Sequence, residues 1–412
     1  MLSVLRNPTY ATLFAAQVIA LLGTGLLTVA LGLLAFDIAG DAAGAVMGTA
    51  LTIKMVAYVG VAPVIAAVVE RLPRKVVLVA ADLVRFAIAL MLPLVTEAWQ
   101  IYVLIFVLQS ASATFTPAFQ ALIPSVLPDQ RDYTRALSLS RLAYDLESLL
   151  SPAIAAALLT VISYNNLFMG TAAGFAGSTA CVIFARLPSR VDDASRESFW
   201  RRLPVGLTVF ARTPTLRFLL VTNLVVAAGT ALVLVNSVVY ARGVFELGES
   251  ALAGMLAFYG LGSLLTALNI PWIIERLNTI RTMTLGAVVI TAGLIAATVL
   301  TQIAITTQTG WAGLLATWAL LGVGTSLVNT PSARLLADAS TSRTRNLVYT
   351  AQFALSHACF LLTYPIAGWL GQHHLTLAAA VLTAIAAIGT ITAGGLAATQ
   401  RLHTSSDTRD TS

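Results

Sequence analysis

The sequence predicts an all-α membrane protein with twelve transmembrane helices arranged as two six-helix halves. Of its 412 residues, 58% are hydrophobic and 10% are charged, whereas soluble domains have roughly 25% charged residues. The charges are clustered, which leaves repeated apolar stretches of about 20 residues, the length that crosses a bilayer core. A Glu-Arg-Leu triplet stands between two apolar stretches at 70–72 and again at 275–277. This recurrence indicates an internal duplication, as in many transporters.

Twelve apolar segments follow one another along the chain, and one long polar connection divides them into six plus six. We therefore expect an N-terminal bundle in residues 1–186, a cytoplasmic linker in 187–213, a C-terminal bundle in 214–401 and a polar cytoplasmic tail in 402–412. The predicted spans are 10–36, 44–69, 76–96, 101–123, 136–161, 167–185, 216–240, 251–274, 282–301, 311–335, 347–370 and 375–399.

The positive charges lie on one side of the predicted membrane. Each connection after an even-numbered span contains arginine or lysine, whereas Arg242 is the one arginine or lysine in the connections after odd-numbered spans. By the positive-inside rule, we expect a multi-pass protein of the cytoplasmic membrane with both termini cytoplasmic. The net charge of +6 thus reflects membrane orientation, and no nucleic-acid partner is expected. The first apolar segment is interpreted as a retained span rather than a signal peptide.

The sequence contains no recognisable motif for catalysis, metal binding or nucleotide binding. The two cysteines lie in apolar segments and are interpreted as packing residues, so neither a metal site nor a disulfide framework is expected. There is no nucleotide-binding loop, no His-Glu-x-x-His and no serine elbow. We therefore expect no enzyme activity and no cofactor. A membrane-embedded enzyme or lipid-handling protein is the alternative from another class, and it would need a reactive cluster.

The first charged triplet resembles the loop between spans 2 and 3 of the major facilitator superfamily. In that family the loop reads roughly Gly-x-Leu-Ala-Asp-Arg-x-Gly-Arg-Lys. The acidic, arginine and lysine positions correspond here to Glu70, Arg71, Arg74 and Lys75, and the two glycines are replaced by Ala66 and Pro73. The resemblance covers the whole chain and implies the two-bundle major facilitator fold.

Within the superfamily, the chain resembles the macrolide, siderophore and nickel-resistance exporters. The similar stretches are 5–8, 81–85, 135–139 and 141–147. The resemblance implies a monomeric secondary active exporter of a drug, siderophore-like compound or metal ion, with multidrug or nickel resistance as its outcome. Its partners would be the small molecule, protons in antiport and the lipid bilayer. The family's antiporter pattern, Gly-Pro-x-x-Gly-Gly, corresponds to 151–156, which has small residues but no glycine. An importer or uniporter is the alternative within transport.

Two carboxylates in the fifth span are candidates for proton coupling. Counted from residue 136, Asp145 and Glu147 lie roughly 13 Å and roughly 16 Å into the membrane, where a charged group must face protein or water. Arg141 is one turn before Asp145 and could pair with it, which leaves Glu147 as the freer group. The alternative is a structural ion network within the N-terminal half.

A second set of charged residues, at the cytoplasmic rim, is predicted to act as a gate. Salt bridges there could hold one conformation and release it on switching. The alternative is simple anchoring by positive charge. Asp82 and Arg85 share one face of span 3, and we expect them to form a structural tie to Glu70 or Arg141. The full set is Glu70, Arg71, Arg74, Lys75, Asp82, Arg85, Glu275 and Arg276.

Polar groups in the spans are candidates for contact with substrate. Lys54 could snorkel to the outer surface, pair with Asp37 or Glu147, or attract an anionic substrate. His357 could titrate, or it could be satisfied by Gln352 or Tyr364. Amides, hydroxyls and aromatic rings suit an amphipathic solute, although each could instead bond a neighbouring helix. The candidates are Gln17, Lys54, Gln109, Asn223, Asn236, Trp318, Asn329 and His357. The glycines expected to permit close helix packing or bending are Gly23, Gly25, Gly322 and Gly324.

Overall fold

The structure is a computed structural model that describes residues 2–61, 72–185, 199–303, 308–340 and 345–407. All secondary structure in these ranges is helical, which confirms the predicted all-α class. Glu70 and Arg71, two of the predicted gating residues, lie outside the described residues. For Arg141 and Asp145, the structure describes the helical backbone and not the side chain.

Six long helices correspond to the first six predicted spans. The first begins at a cap, because the side chain of Asn7 accepts a hydrogen bond from the Tyr10 N–H at 3.1 Å and Pro8 takes the first helical position. The fifth begins similarly, where Asp129 accepts from the N–H groups of two following residues. The helices are α1 Pro8–Ala39, α2 Ala43–Val56, α3 Arg74–Met91, α4 Ala98–Val126, α5 Gln130–Leu158 and α6 Tyr164–Phe184.

The remaining helices include one that the sequence did not predict. Residues of the expected polar linker form helix α7, which packs against the start of α12. A Cβ on Gly206 would clash with the carbonyl of Leu347, so this packing is close. The helices are α7 Phe199–Arg212, α8 Pro214–Val238, α9 Glu249–Leu277, α10 Thr279–Gln302, α11 Gln308–Asp338, α12 Arg345–Pro365 and α13 Leu375–Asp407.

Ten helical stretches of the described chain are long and apolar enough to cross a membrane, compared with the twelve spans expected from sequence. Part of the difference lies in α1 and α2, which form one continuous apolar stretch, Pro8–Val61, of 54 residues. The rest lies in α5, for which the side chains of several residues lie outside the part of the chain that the structure describes. The chain is a multi-pass membrane protein.

Contacts divide the chain into two compact units. The first unit contains Met1–Arg196 together with Leu247–Ala257, and the second contains Glu197–Glu246 and Phe258–Ser412. The first unit has a core between α1, α3, α4 and α5, where the Tyr10 hydroxyl donates to the Ala136 carbonyl at 3.1 Å. In the second unit, α9 and α11 approach so closely that a Cβ on Gly322 would clash with the carbonyl of Tyr259.

Candidate functional site

The first unit has a buried ionic cluster around Arg85 on α3. Arg85 forms an ion pair with Asp82 one turn earlier, and the Asp82 carboxylate also accepts from the Ser178 hydroxyl of α6 at 2.6 Å. The guanidinium carbon lies 4.4 Å from the ring centroid of Phe115 and 4.6 Å from that of Phe175. Asp82 is 0% exposed and Arg85 is 5% exposed. The cluster therefore joins α3, α4 and α6 in one ion-paired, aromatic-lined core.

The sequence predicted a tie from Asp82 and Arg85 to Glu70 or Arg141, whose side chains both lie outside the described residues. The contacts that the structure describes are to each other, to a serine and to two phenylalanines. Ser178 has no signal in the sequence, because one serine in an apolar span is commonly bonded to its own helix. Phe175 likewise reads as a packing residue.

Two further charged residues lie near each other on α2 and α5. Lys54 and Glu147 are within electrostatic reach of each other, without a salt bridge among the described contacts, and each side chain is half-buried. Of the three possibilities for Lys54, this arrangement favours the pairing with Glu147. Tyr58, one turn after Lys54, lies in the electrostatic reach of Glu147, Arg85 and Tyr144. The spacing of four residues between Lys54 and Tyr58 could have placed both on one face of α2.

Glu147 also lies against α1. One of its carboxylate oxygens is 3.0 Å from the position that a Cβ on Gly25 would occupy, and the Ser151 side chain lies still closer to that position. Ser151 is one turn after Glu147 on α5, so the two side chains share a face. The absence of a side chain on Gly25 therefore leaves room for both polar groups. The candidate site of the first unit is Lys54, Tyr58 and Glu147, bordered by Gly25 and Ser151.

Two cavity candidates of the second unit are fully buried. The Trp318 indole N–H donates to the Ser237 hydroxyl at 2.7 Å, and its ring lies edge-on to Tyr240 with centroids 5.4 Å apart. Asn236 donates through its side-chain amide to the Ala367 carbonyl at 3.1 Å. Because Trp318 and Asn236 are each 0% exposed, both serve helix packing in this structure rather than lining an accessible cavity.

The other cavity candidates differ in their burial and in their hydrogen-bond partners. Gln17 accepts from the Ser140 hydroxyl at 3.0 Å. The buried amide nitrogen of Asn223 has no hydrogen-bond partner within the described residues. His357 bonds through Nδ1 to the Phe353 carbonyl on the preceding turn, at 2.7 Å. Gln109 is buried and Asn329 is half-buried.

The gating candidates that the structure describes have partners of several kinds. Lys75 donates to the carbonyls of Ile183 and Ala185 at 2.6 and 3.1 Å, so it caps the last turn of α6. Arg276 is exposed and lies over the ring of Trp272, 4.1 Å from its centroid, and Glu275 is exposed. Both contacts, Lys75 with α6 and Arg276 with Trp272, suit the alternative of anchoring at the membrane surface.

Two curated bacterial proteins are similar to part of this chain. Macrolide efflux protein A of Streptococcus pyogenes is 25% identical over 218 residues, which are 51% of this chain and 53% of that protein. The protein of the same name from Enterococcus faecalis is 26% identical over 186 residues, which are 42% of this chain and 57% of that protein. The chain thus spans about half the length of these curated relatives.

The fold and the family profile give the wider assignment. A solved structure of a mutant of the nucleoside transporter NupG has a TM-score of 0.73 and 14% identity, and the match covers 94% of this chain and 99% of that one. At this identity the likeness shows the fold. The sequence profile of the Major Facilitator Superfamily matches residues 13–311, which confirms the resemblance noted in the sequence. The chain therefore belongs to the Major Facilitator Superfamily of membrane transporters.

Proposed function

We propose that this chain is a proton-coupled antiporter that exports a small amphipathic molecule of the macrolide class by alternating access. The export direction and the substrate class are supported by the curated relatives, which are named macrolide efflux proteins. The proposal includes twelve crossings, with α1 and α2 crossing separately and α5 crossing as well. Both termini are then cytoplasmic, which the distribution of arginine and lysine supports.

The observation that carries proton coupling is the Lys54–Glu147 pair. Glu147 is a carboxylate within a membrane-spanning unit, and its partner on α2 is a lysine. A carboxylate at that depth is expensive when it is charged and unpaired. Its charge is therefore tied to the helix arrangement that keeps Lys54 beside it, which is the property that couples a proton to a conformational change.

In the proposed cycle, the proton and the substrate are bound at different stages. When Glu147 is charged, its attraction to Lys54 favours the arrangement in which α2 and α5 hold the two groups together. When Glu147 takes a proton, this attraction is lost and a second arrangement becomes accessible. Substrate leaves from one arrangement and the proton from the other, so that movement of protons inward drives movement of the solute outward.

The test is efflux from proteoliposomes preloaded with a labelled macrolide. An external pH below the internal pH should accelerate efflux from vesicles that contain the parent protein. Glu147→Gln should lower this efflux to the rate obtained without a gradient, because glutamine cannot exchange a proton at this position. Asp145→Asn, measured beside it, tests the other carboxylate of the predicted pair.

Asp338→Asn is the matched control. Asp338 is a carboxylate that is 71% exposed and 3.8 Å from Arg334, so its loss should leave gradient-driven efflux unchanged. If Glu147→Gln responds to the gradient as the parent does, Glu147 is not the coupling group. If the parent moves macrolide at the same rate with and without the gradient, antiport of this substrate is rejected.

A further inference from the structure

Ser151 on α5 has a buried hydroxyl group that makes no hydrogen bond among the described residues. Its side chain is 1% exposed. Most serines in apolar helices bond a carbonyl one turn earlier, as Ser110 does with Phe106 at 2.7 Å. A buried hydroxyl without a partner costs about 1–3 kcal/mol, so this one requires an explanation in terms of another state or a ligand.

The polar group nearest at hand is the Glu147 carboxylate. Glu147 and Ser151 are four residues apart on α5 and share a face. An oxygen of each lies within 3.0 Å of the position that a Cβ on Gly25 would occupy. The two oxygens therefore border one small notch in α1, and side chains four residues apart on one helix face are neighbours that can bond each other.

We propose that Ser151 is the hydrogen-bond partner of Glu147 when this carboxyl group is protonated, and that Gly25 keeps open the space in which the two meet. This inference rests on the proposed function, and it says where the Glu147 side chain lies after it has taken a proton. In the charged state the carboxylate is attracted to Lys54. When a hydronium ion transfers its proton to a carboxylate oxygen, a new O–H bond forms and one water molecule is released. The neutral carboxyl then donates its O–H to the Ser151 oxygen, and Lys54 keeps its own charge.

The arrangement gives Glu147 one partner when its carboxyl group is protonated and another when it is charged. A neutral carboxyl has an O–H to donate, whereas a carboxylate is an acceptor only. The free oxygen of Ser151 suits the first form, and the ammonium of Lys54 suits the second. Because the notch belongs to α1 and both oxygens belong to α5, protonation is linked to the fit between these two helices.

The experiment is infrared difference spectroscopy of the full-length protein in lipid, with the pH stepped downward. A protonated carboxylic acid gives a C=O stretching band that is absent from the carboxylate, and the Glu147 band is identified by its loss in Glu147→Gln. In Ser151→Ala this band should move to higher frequency, because the hydrogen bond that the carboxyl O–H donates has lost its acceptor. Gradient-driven macrolide efflux should slow by about fivefold, the rate equivalent of one neutral hydrogen bond.

Ser110→Ala is the control, because Ser110 is a buried serine of the same unit whose hydroxyl bonds its own helix; it should leave the band in place. Gly25→Ala should shift the band as Ser151→Ala does, because its methyl group would fill the notch. If Ser151→Ala fails to fold, Ser151→Cys supplies a weaker partner and should shift the band partway. An unchanged band in Ser151→Ala or Ser151→Cys overturns the inference.

Failure of this inference is distinct from failure of the proposed function. The infrared band reports the partner of the carboxyl group whether or not a solute moves. A parent protein without gradient-driven efflux rejects antiport of macrolide, whereas a normal gradient response together with an unshifted band in Ser151→Ala rejects the role of Ser151.

Discussion

The two units bury different kinds of polar group. In the first unit the buried polar residues include the charged pair Asp82 and Arg85. The half-buried residues Lys54 and Glu147 belong to the same unit, and Tyr58 is within electrostatic reach of both Arg85 and Glu147. In the second unit, the buried polar residues that the structure describes are all neutral: threonines, serines and asparagines such as Thr363, which donates to the Ala227 carbonyl at 3.1 Å. The first unit thus combines buried ions with neutral hydroxyl and amide groups such as Ser140 and Gln17, whereas the second has hydroxyls and amides alone among its described buried polar residues.

This difference determines how each unit can respond to a change in pH. Hydroxyl and amide side chains keep the same charge over the physiological pH range, so their hydrogen bonds hold helices together without responding to protons. Buried ion pairs are sensitive to the loss of either partner. A proton that binds within the ionic unit should therefore alter helix contacts, which is why the proposed coupling site lies in the first unit.

The largest expected effect comes from breaking the buried ion pair. Arg85→Gln leaves the Asp82 carboxylate buried with Ser178 as its remaining described partner, and such a change costs about 3–5 kcal/mol of stability. The double variant Asp82→Asn with Arg85→Gln should regain part of this loss, because it leaves no unpaired buried charge. Thermal unfolding of the purified protein in detergent measures both.

Arg276→Gln is the control for that comparison. Arg276 also lies over an aromatic ring, that of Trp272, but at the exposed end of α9, where a cation–π contact contributes about 0.5–1 kcal/mol. A loss in Arg85→Gln no greater than the loss in Arg276→Gln would show that the buried ion pair does not hold the first unit together.

Much of this contrast could be anticipated from the sequence, since charges within spans are conspicuous. Asp82, Arg85, Lys54 and Glu147 were all selected on that basis, and the pairing of Lys54 with Glu147 was one of three possibilities considered. The aromatic partners of Arg85 could not be predicted, because the sequence does not show which rings of α4 and α6 pack against α3.

The helix pattern shows a similar division. Apolar length predicted the helices, but it could not predict α7, because Phe199–Arg212 has its apolar residues on one face within a charged segment and its packing on α12 supplies the rest. Trp318 and Asn236 were selected as cavity residues because they are polar groups in spans. Polarity alone does not distinguish a group that faces a solute from one that bonds a neighbouring helix.

An intermediate effect is expected where the second unit is packed most closely. Gly322→Ala places a methyl group against the Tyr259 carbonyl, and overpacking of this kind costs about 1–3 kcal/mol. Gly254→Ala on α9 is the matched control, because a Cβ there would meet no atom within 4 Å; alanine should be neutral or stabilise the helix by up to about 1 kcal/mol. Unfolding midpoints measure both, and equal effects would contradict close packing of α9 on α11.

The smallest effect distinguishes the two kinds of polar core directly. A double-mutant cycle of Trp318→Phe and Ser237→Ala isolates the indole N–H bond to the Ser237 hydroxyl, and its coupling energy should be about 1 kcal/mol. Neither group titrates near neutrality, so the value should be the same at about pH 6 and about pH 8. The corresponding cycle of Lys54→Gln and Glu147→Gln should give a coupling that decreases as the pH falls, because the attraction requires a charged carboxylate. If the Trp318–Ser237 coupling varies with pH as much as the Lys54–Glu147 coupling, the division into a neutral unit and an ionic unit is wrong.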